Sequence, residues 1–306
     1  MKIEAFVNRQ RRLFFLGFFV LMVPVLSLSA AEKGKPAPKK GKPAPSEAQI
    51  LVARGTAVYK KGNFVLALEL FNKAAELEPN NVIIHSLRGK ARYRNNDFNG
   101  AIADQTKAIE LNPRIPEPYA DRGAARFQKG DFDGAIADAT KAISIDKNYP
   151  DPYNNRGLAL VFKGDLNAAL EDFNLALRLN PFYAEAYLNR AGLYEKQGNL
   201  KGVIEDTTKT MVLRPNLEEA YNLRGMAMLK LGRPKDALSD LTKALQINPK
   251  YALALFNRGV VRTSTGNYAG ALEDFRQSVE LLPLLKERAA PWVEKAQKEM
   301  QAKPNK

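Results

Sequence analysis

The sequence contains no cysteine and only one histidine and one tryptophan in 306 residues. Without cysteine the chain can form no disulfide, no thiolate metal site and no cysteine nucleophile. Because His85 is the only histidine, a site with several histidine ligands is impossible. No P-loop, GxGxxG, HExxH or EF-hand motif occurs. We therefore predict no enzymatic activity, with no catalytic residue, metal site or cofactor, and we expect His85 to be a partly buried structural residue.

The net charge of +14 is unevenly distributed along the chain. Residues 1–47 carry +6 and residues 286–306 carry +3, whereas the long central part, residues 48–285, carries only +5. A nucleic-acid interface would need a concentrated basic surface, so we consider a nucleic-acid partner unlikely. The alternative that remains is binding to an anionic surface or a nucleic acid through the two basic ends.

Residues 1–31 have the parts of a secretory signal peptide. Four basic residues precede an apolar run over residues 13–28, and small residues such as Ser29 and Ala31 follow it. A cut before Glu32 would release an exported protein, periplasmic or extracellular. The alternative is an uncleaved membrane anchor over residues 13–31, which as a helix would span about 28 Å.

Residues 32–47 form a linker rich in lysine and proline, in which GKPAP occurs twice. A segment of this composition cannot bury a core, and its like charges extend it. We interpret it as a solvated spacer, with docking to an anionic surface as the alternative.

From Ala48 onward the chain repeats with a period of 34 residues. Counting seven equal windows without insertion, the eighth position is glycine in six of them and Ala191 in the fifth. Alanine dominates positions 20 and 27, and proline dominates position 32. The windows are 48–81, 82–115, 116–149, 150–183, 184–217, 218–251 and 252–285.

The spacing predicts a pair of helices in every window. Each window holds two apolar-periodic segments of about 14 residues, separated by a turn and closed by proline. The small residues at positions 8, 20 and 27 would allow close helix crossings. One helix pair cannot bury its own apolar face, so stacked neighbours are needed.

This pattern resembles the tetratricopeptide repeat, in the variant that carries Asn-Arg-Gly. The resemblance implies an all-α fold, a right-handed α-solenoid of seven helix-turn-helix repeats. It also implies a concave groove, lined by the first helices, that binds a peptide or protein. Residues 286–306 follow the last repeat and are expected to form a capping helix and tail, with Pro291 at the first helical position and an apolar stripe that includes Trp292.

Arginine at position 7 and aspartate at position 23 recur together. We interpret them as structural ion pairs, with a basic groove for an acidic tail as the alternative. Two of these pairs are Arg122 with Asp138 and Arg156 with Asp172.

Candidate partner-binding residues lie at three positions of the first helix. Position 6 carries amides or a similar group, which in some relatives bind the backbone of an extended peptide. Position 2 carries acids that could form an acidic column, with helix-dipole stabilisation as the alternative. The lysine-containing clamp by which some family members bind chaperone tails is not matched. The candidates are Asp121, Asn155, Asn189 and Asn257 at position 6, Asn154 and Asn222 at position 5, and Glu117, Asp151 and Glu185 at position 2.

The function expected from these features is a non-catalytic scaffold that binds a protein or peptide in its groove, either exported or tethered through residues 13–31. No small-molecule substrate is expected. The fifth window departs from the pattern at Ala191, Val203, Thr207 and Thr210, so we predict that it is the least stable or most bent link.

Overall fold

The computed structural model describes residues 44–302, and this part of the chain contains fifteen α-helices and no strand. Helices α1 to α14 form consecutive pairs, one pair for each 34-residue window, and α15 follows a short 3₁₀ segment, Pro283–Leu285. The helices are α1 Glu47–Lys60, α2 Phe64–Leu77, α3 Val82–Arg94, α4 Phe98–Leu111, α5 Pro116–Gln128, α6 Phe132–Ile145, α7 Pro150–Lys163, α8 Leu166–Leu179, α9 Ala184–Lys196, α10 Leu200–Leu213, α11 Glu218–Lys230, α12 Pro234–Ile247, α13 Ala252–Ser264, α14 Tyr268–Leu281 and α15 Lys286–Ala302.

The described residues fall into two compact units. The N-terminal unit, residues 44–179, contains α1 to α8, and the C-terminal unit, residues 180–302, contains α9 to α15. Within each unit both helices of a pair pack together, and the second helix of one pair packs on the first helix of the next. The all-α fold of stacked helix pairs predicted from the 34-residue period is therefore confirmed.

The turn between the two helices of a pair has a recurring design. Position 15 has a positive φ in every repeat, a conformation that glycine adopts without a steric cost. Asn96, with φ of 62°, is the exception to glycine at this position. The next residue is usually Asn or Asp, and its side chain accepts a hydrogen bond from a backbone N–H of the first turn, as Asp97 does from Gly100 at 2.9 Å.

Small residues bring the two helices of a pair together, as the spacing predicted. A Cβ at Gly157 would lie 2.9 Å from the Phe173 ring, and one at Gly259 would lie 2.7 Å from the Phe275 ring. In repeats 1, 2, 4, 6 and 7 the side chain nearest to the glycine is the one at position 24. In the fifth repeat Ala191 replaces the glycine and the smaller Thr207 stands opposite, so the extra methyl group has room.

The departures in the fifth repeat do not leave buried polar groups unpaired. Thr207 donates to the carbonyl of Val203 at 2.6 Å, and Thr210 donates to the carbonyl of Asp206 at 3.0 Å. Both threonines are fully buried. Hydrogen bonds of this kind return to the preceding turn of the same helix and satisfy the hydroxyl without a partner helix.

The last repeat is covered by α15. Leu285 and Ala289 are buried against Phe256 and Phe275, and Trp292 packs on the same cluster. The expectation that Pro291 begins a helix is wrong, because α15 begins five residues earlier and contains this proline. The apolar contacts of the preceding turn hold the helix in place although proline supplies no backbone N–H there.

Residues 1–43 and 303–306 lie outside the described residues. The predicted signal peptide or anchor and most of the predicted linker therefore lie in a part of the chain that the structure does not describe. Ser46, at the end of the predicted linker, is the N-cap of α1 and accepts a hydrogen bond from the Gln49 backbone. Between residues 44 and 302, none of the helices has the length and apolarity needed to cross a bilayer.

Candidate functional site

Six repeats contain an ion pair between the first and second helices. In each of repeats 2 to 7, the arginine at position 7 donates two or more hydrogen bonds to the aspartate at position 23, sixteen residues further along the chain. The aspartates are nearly inaccessible, so each carboxylate is desolvated and fully paired. The pairs are Arg88–Asp104, Arg122–Asp138, Arg156–Asp172, Arg190–Asp206, Arg224–Asp240 and Arg258–Asp274.

The same arginines also join neighbouring repeats. The Nη1 atom of Arg122 donates to the Thr106 hydroxyl of the preceding repeat at 3.1 Å, and Arg156 donates to Thr140 at 3.2 Å. Arg88 makes the equivalent bond to the side-chain oxygen of Asn72. Each of these three guanidinium groups therefore bonds both to its own repeat and to the preceding one. They are already paired within the scaffold, which argues against a basic groove for an acidic tail.

A second arginine completes three of these clusters, and the sequence reading missed it. Arg126 lies 2.8 Å from Asp138, and Arg262 lies 2.8 Å from Asp274. Arg92 approaches Asp104 in the same way at 3.0 Å. The signal that could have revealed them is the recurrence of arginine at position 11 in repeats 2, 3 and 7.

First helices of neighbouring repeats also contact each other directly within each unit. We call the surface that they form the first-helix face. In the N-terminal unit its centre is the pair of Lys90 and Asp121, whose Nζ and Oδ2 atoms are 3.4 Å apart. Burial raises the pKa of Asp121, and the charge of Asp121 in turn raises the pKa of Lys90. Beside them Gln128 donates to the Tyr93 hydroxyl at 3.0 Å, and burial raises the pKa of Tyr93 to about 12.

The first-helix face of the C-terminal unit carries amides and acids. The Asn257 amide donates to the Asn222 side-chain oxygen at 2.8 Å, which links α13 to α11. Half-buried Glu219 lies on α11, and its Oε2 atom is buried with no hydrogen-bond partner among the described residues. Burial, reinforced by the charge of Glu218, raises the pKa of Glu219 to about 7.

The structure divides the nine candidate residues into two groups. Glu117 is exposed, and three others are partly exposed, namely Asp121, Asn222 and Asn257. The other five have between 1% and 8% of their surface exposed and offer almost no contact area. These five are Asp151, Asn154, Asn155, Glu185 and Asn189.

The expectation that all nine line an open groove is therefore corrected. Neighbouring helices cover the buried five, and their polar atoms are used inside the protein. Asn155, for example, donates to the carbonyl of Ala120 at 3.4 Å, and the carboxylate of Glu185 lies 2.6 Å from Arg214. The acids at position 2 consequently do not form one accessible acidic column.

His85 is buried, and its Nε2 atom donates to the carbonyl of Pro79 at 2.7 Å. Its other ring nitrogen lies 3.5 Å from the Asp104 carboxylate, which already belongs to an ion pair. Within residues 44–302, no group of three or more histidine, aspartate or glutamate side chains could hold a metal ion.

Comparison with known proteins agrees with this arrangement. The model of the TPR repeat family matches residues 55–96, 123–164 and 159–198, and the model described as tetratricopeptide repeat matches residues 218–251. The chain contains tetratricopeptide repeats. Such repeats form a family of non-catalytic scaffolds that bind protein or peptide partners. No curated protein is significantly similar in sequence.

Solved structures share the fold of these tetratricopeptide repeats at low sequence identity. A tetratricopeptide repeat protein from Parabacteroides merdae is 19% identical with a TM-score of 0.60, and the match covers 82% of this chain and 99% of the other. A chain of the APC/C hetero-tetramer Cut9-Hcn1 is 15% identical with a TM-score of 0.68, and the match covers 82% of this chain and 53% of the other. The present chain thus spans about half of the second matched chain, and both matches concern the fold alone.

Proposed function

We propose that the protein is a non-catalytic scaffold whose first-helix face binds a segment of a partner protein. The observation that carries the proposal is the set of polar side chains that remain accessible on this face at repeat-related positions. These are the acids Glu117 and Asp121 in the N-terminal unit and the amides of Asn222 and Asn257 in the C-terminal unit.

The chemistry of these groups suits an extended polypeptide. A side-chain amide both donates and accepts hydrogen bonds, so it can pair with a peptide backbone whatever the side chains are. The Asn257–Asn222 bond uses the Asn257 nitrogen and the Asn222 oxygen, which leaves the Asn257 oxygen for such pairing. The position-7 arginines are engaged by aspartates and Asp121 is paired with Lys90, so the exposed acid Glu117 favours a partner segment that is neutral or basic.

The buried ion pairs support this role indirectly. A scaffold binds well when the groups that contact the partner are already held in place, because less conformational entropy is lost on binding. In repeats 2 to 7 the arginine–aspartate pairs fix the first helix on its second helix, and Arg122 and Arg156 also bond through Nη1 to the preceding repeat.

Site-specific photo-crosslinking tests the proposal. A photoreactive amino acid at position 222, on the first-helix face, should capture a partner, whereas the same amino acid at position 273 should not. Glu273 is exposed on α14, a second helix of the same unit. Equal capture at both positions, or capture at position 273 alone, would count against binding at the first-helix face.

We also propose that residues 1–31 direct export or anchor the protein to a membrane, with residues 32–43 as the spacer. The support is the basic, apolar and small-residue order of the sequence. Mass spectrometry of the protein from fractionated cells would distinguish the alternatives. A mature chain beginning at Glu32 indicates cleavage, and an intact chain in the membrane fraction indicates an anchor. An intact chain in the soluble cytosolic fraction would exclude both.

A further inference from the structure

The outer face of α1, which consists of Ile50, Ala53, Arg54 and Ala57, is exposed, although the equivalents of Ile50 and Ala57 are buried in every later repeat and those of Ala53 and Arg54 are buried or half-buried. Ile50 stands at position 3 with 46% of its surface exposed. The residue at this position is buried in each of repeats 2 to 7, as Ile84 is at 1%. Position 10 behaves in the same way, since Ala57 is exposed and the six later residues are buried.

The later repeats show what normally covers these two positions. Ile84 packs on Ala74 and Ala75 of the preceding second helix. In the C-terminal unit, Ala254 and Val261 belong to one cluster with residues 237, 241, 244 and 245 of the preceding second helix. A helix with small or apolar residues at i, i+4, i+7 and i+8 therefore fits positions 3 and 10.

Arg54 lacks both of the partners that its equivalents have. Leu70 stands where the later repeats have aspartate, and among residues 44–302 no helix precedes α1 to supply a threonine or asparagine acceptor. Among the described residues Arg54 makes no hydrogen bond or ion pair, and its side chain is exposed. The outer face of α1 thus combines an apolar strip with one unpaired cation.

The composition around this face is the opposite of that of a capping repeat. The end of a repeat stack normally carries a polar outer surface to remain soluble. Here apolar Leu70 replaces the aspartate found at position 23 of the later repeats, and apolar Val58 stands at position 11, where repeats 2, 3 and 7 have arginine; Leu66 is 40% exposed. At the other end of the chain, α15 covers the last repeat.

We propose that the outer face of α1 is a docking site for a helix of another protein. The fitting helix presents small apolar side chains at i, i+4 and i+7 and places a hydroxyl, amide or carboxylate oxygen at i+5 for Arg54. It would occupy the place that the second helix of a preceding repeat occupies on α3, α5 and α7.

Two other occupants fit less well. In a symmetric contact between two copies of α1, the two Arg54 guanidinium groups would meet, because Arg54 lies in the middle of the strip, and like charges oppose each other. The chain's own apolar run, residues 13–28, contains a single hydroxyl group, that of Ser27, as an acceptor for Arg54, and its large phenylalanines suit a surface of small residues poorly.

A synthetic peptide of residues 132–147 is a suitable probe, because in the protein this helix covers the next repeat. It carries Ala135, Ala139 and Ala142 at the required spacing and Thr140 at i+5, the residue that accepts from Arg156. A short helix is marginal in water, so the peptide is stapled between residues 133 and 137, which are both exposed in the protein. Its binding to the full chain is measured by fluorescence anisotropy.

We expect saturable binding that Ile50→Asp weakens at least tenfold. Ala57→Lys should have a similar effect and guards against misfolding of the first variant, and far-UV circular dichroism checks both. Arg54→Gln should weaken binding of the peptide several-fold. A peptide with Thr140→Val lacks the hydroxyl that accepts from Arg54, so Arg54→Gln should not weaken the binding of that peptide any further. Val212→Asp, at a residue with 75% exposure in the fifth repeat, is the matched control and should leave binding unchanged.

Each other result has a definite meaning. Absence of binding, or binding that Ile50→Asp does not affect, would overturn the proposal. A dimer in light scattering that Ile50→Asp dissociates would identify a second copy as the occupant, and binding that appears only after removal of residues 1–31 would identify the chain's own segment. Asn257→Ala should not change peptide binding, so failure of this site and failure of the first-helix face can be told apart.

Discussion

Replacing Glu219 with glutamine should make the C-terminal unit more stable at neutral and alkaline pH. The Oε2 atom of Glu219 is buried without a hydrogen-bond partner in the described part of the chain, and burial raises the pKa of the carboxyl from 4.5 to about 7. Such a shift corresponds to about 3 kcal/mol if the site is fully desolvated. Because the side chain is only half-buried, water screens part of this cost, and we expect about 1 to 3 kcal/mol.

The sign of the pH dependence follows from the two protonation states. Below pH 4.5 the carboxyl is neutral in the folded and the unfolded chain and costs nothing. Between pH 4.5 and about 7 the folded chain retains a proton that the unfolded chain has lost, so stability falls as the pH rises. Above pH 7 the folded protein bears the full cost, and Glu219→Gln removes it.

The assay uses the only tryptophan of the chain, Trp292, which lies in the same unit as Glu219. Urea unfolding followed by its fluorescence at several pH values from 4 to 8.5 gives the stability of this unit for both proteins. The two curves should meet near pH 4 and separate up to pH 7. A carbon-13 NMR titration of labelled glutamate should show one carboxyl that titrates near pH 7 and is absent from the variant.

Glu273→Gln is the matched control. Glu273 is exposed on the same unit, and its hydrogen bond with Arg276 lowers the carboxyl pKa to about 2. This group is ionised in both states above pH 6, so the variant should change the slope of stability against pH very little in that range. Parallel curves for wild type and Glu219→Gln between pH 5 and 7, or a titration midpoint for Glu219 below pH 5, would refute the reasoning.

Three further predictions concern the scaffold. Asp138→Asn leaves Arg122 and Arg126 without their buried counter-charge and should lower the free energy of unfolding by about 3 to 5 kcal/mol, measured by thermal or urea unfolding. Asp172→Asn releases only one arginine and should cost less. Equal costs would contradict a contribution from the second arginine. Asn96→Gly should stabilise the protein by about 0.5 kcal/mol, because φ is 62° there, and a loss of stability in the same measurement would contradict this. Amide hydrogen exchange should be faster in α10 than in α6, because α10 contains β-branched residues at its crossings, and equal protection would count against a weak fifth repeat.

The fold was predictable because its signals are local and repeated. The 34-residue period places both helices of each pair, and small residues at positions 8 and 20 locate their crossing. The arginine–aspartate pairs were also readable, because both partners recur at a fixed separation of sixteen residues. Pro291 was misplaced because the long contact of α15 with the last repeat is a tertiary feature that a local helix-start rule does not contain.

The candidate site was less predictable, because exposure depends on which helix lies next to a residue. Asn155 and Asn257 occupy the same position of the repeat, and the sequence assigns them the same role. In the structure Asn155 is buried and bonds to a backbone carbonyl, whereas Asn257 is partly exposed and bonds to Asn222 of the preceding repeat. A periodic pattern fixes the direction of a side chain but not the size of its neighbours across the repeat.

The first repeat shows that a comparison of equivalent positions is most informative where one repeat departs from the others. A position that is buried six times and exposed once indicates a missing neighbour, because the apolar side chain is retained although no helix of the described residues covers it. At Ile50 and Ala57 the retained side chains are apolar, and at Arg54 the retained cation has lost both acceptors. An end adapted to solvent would be polar at the first two positions and would need no arginine at the third. The exposed apolar residues and the unpaired arginine of repeat 1 are therefore better explained by a surface that another helix covers than by a surface adapted to solvent.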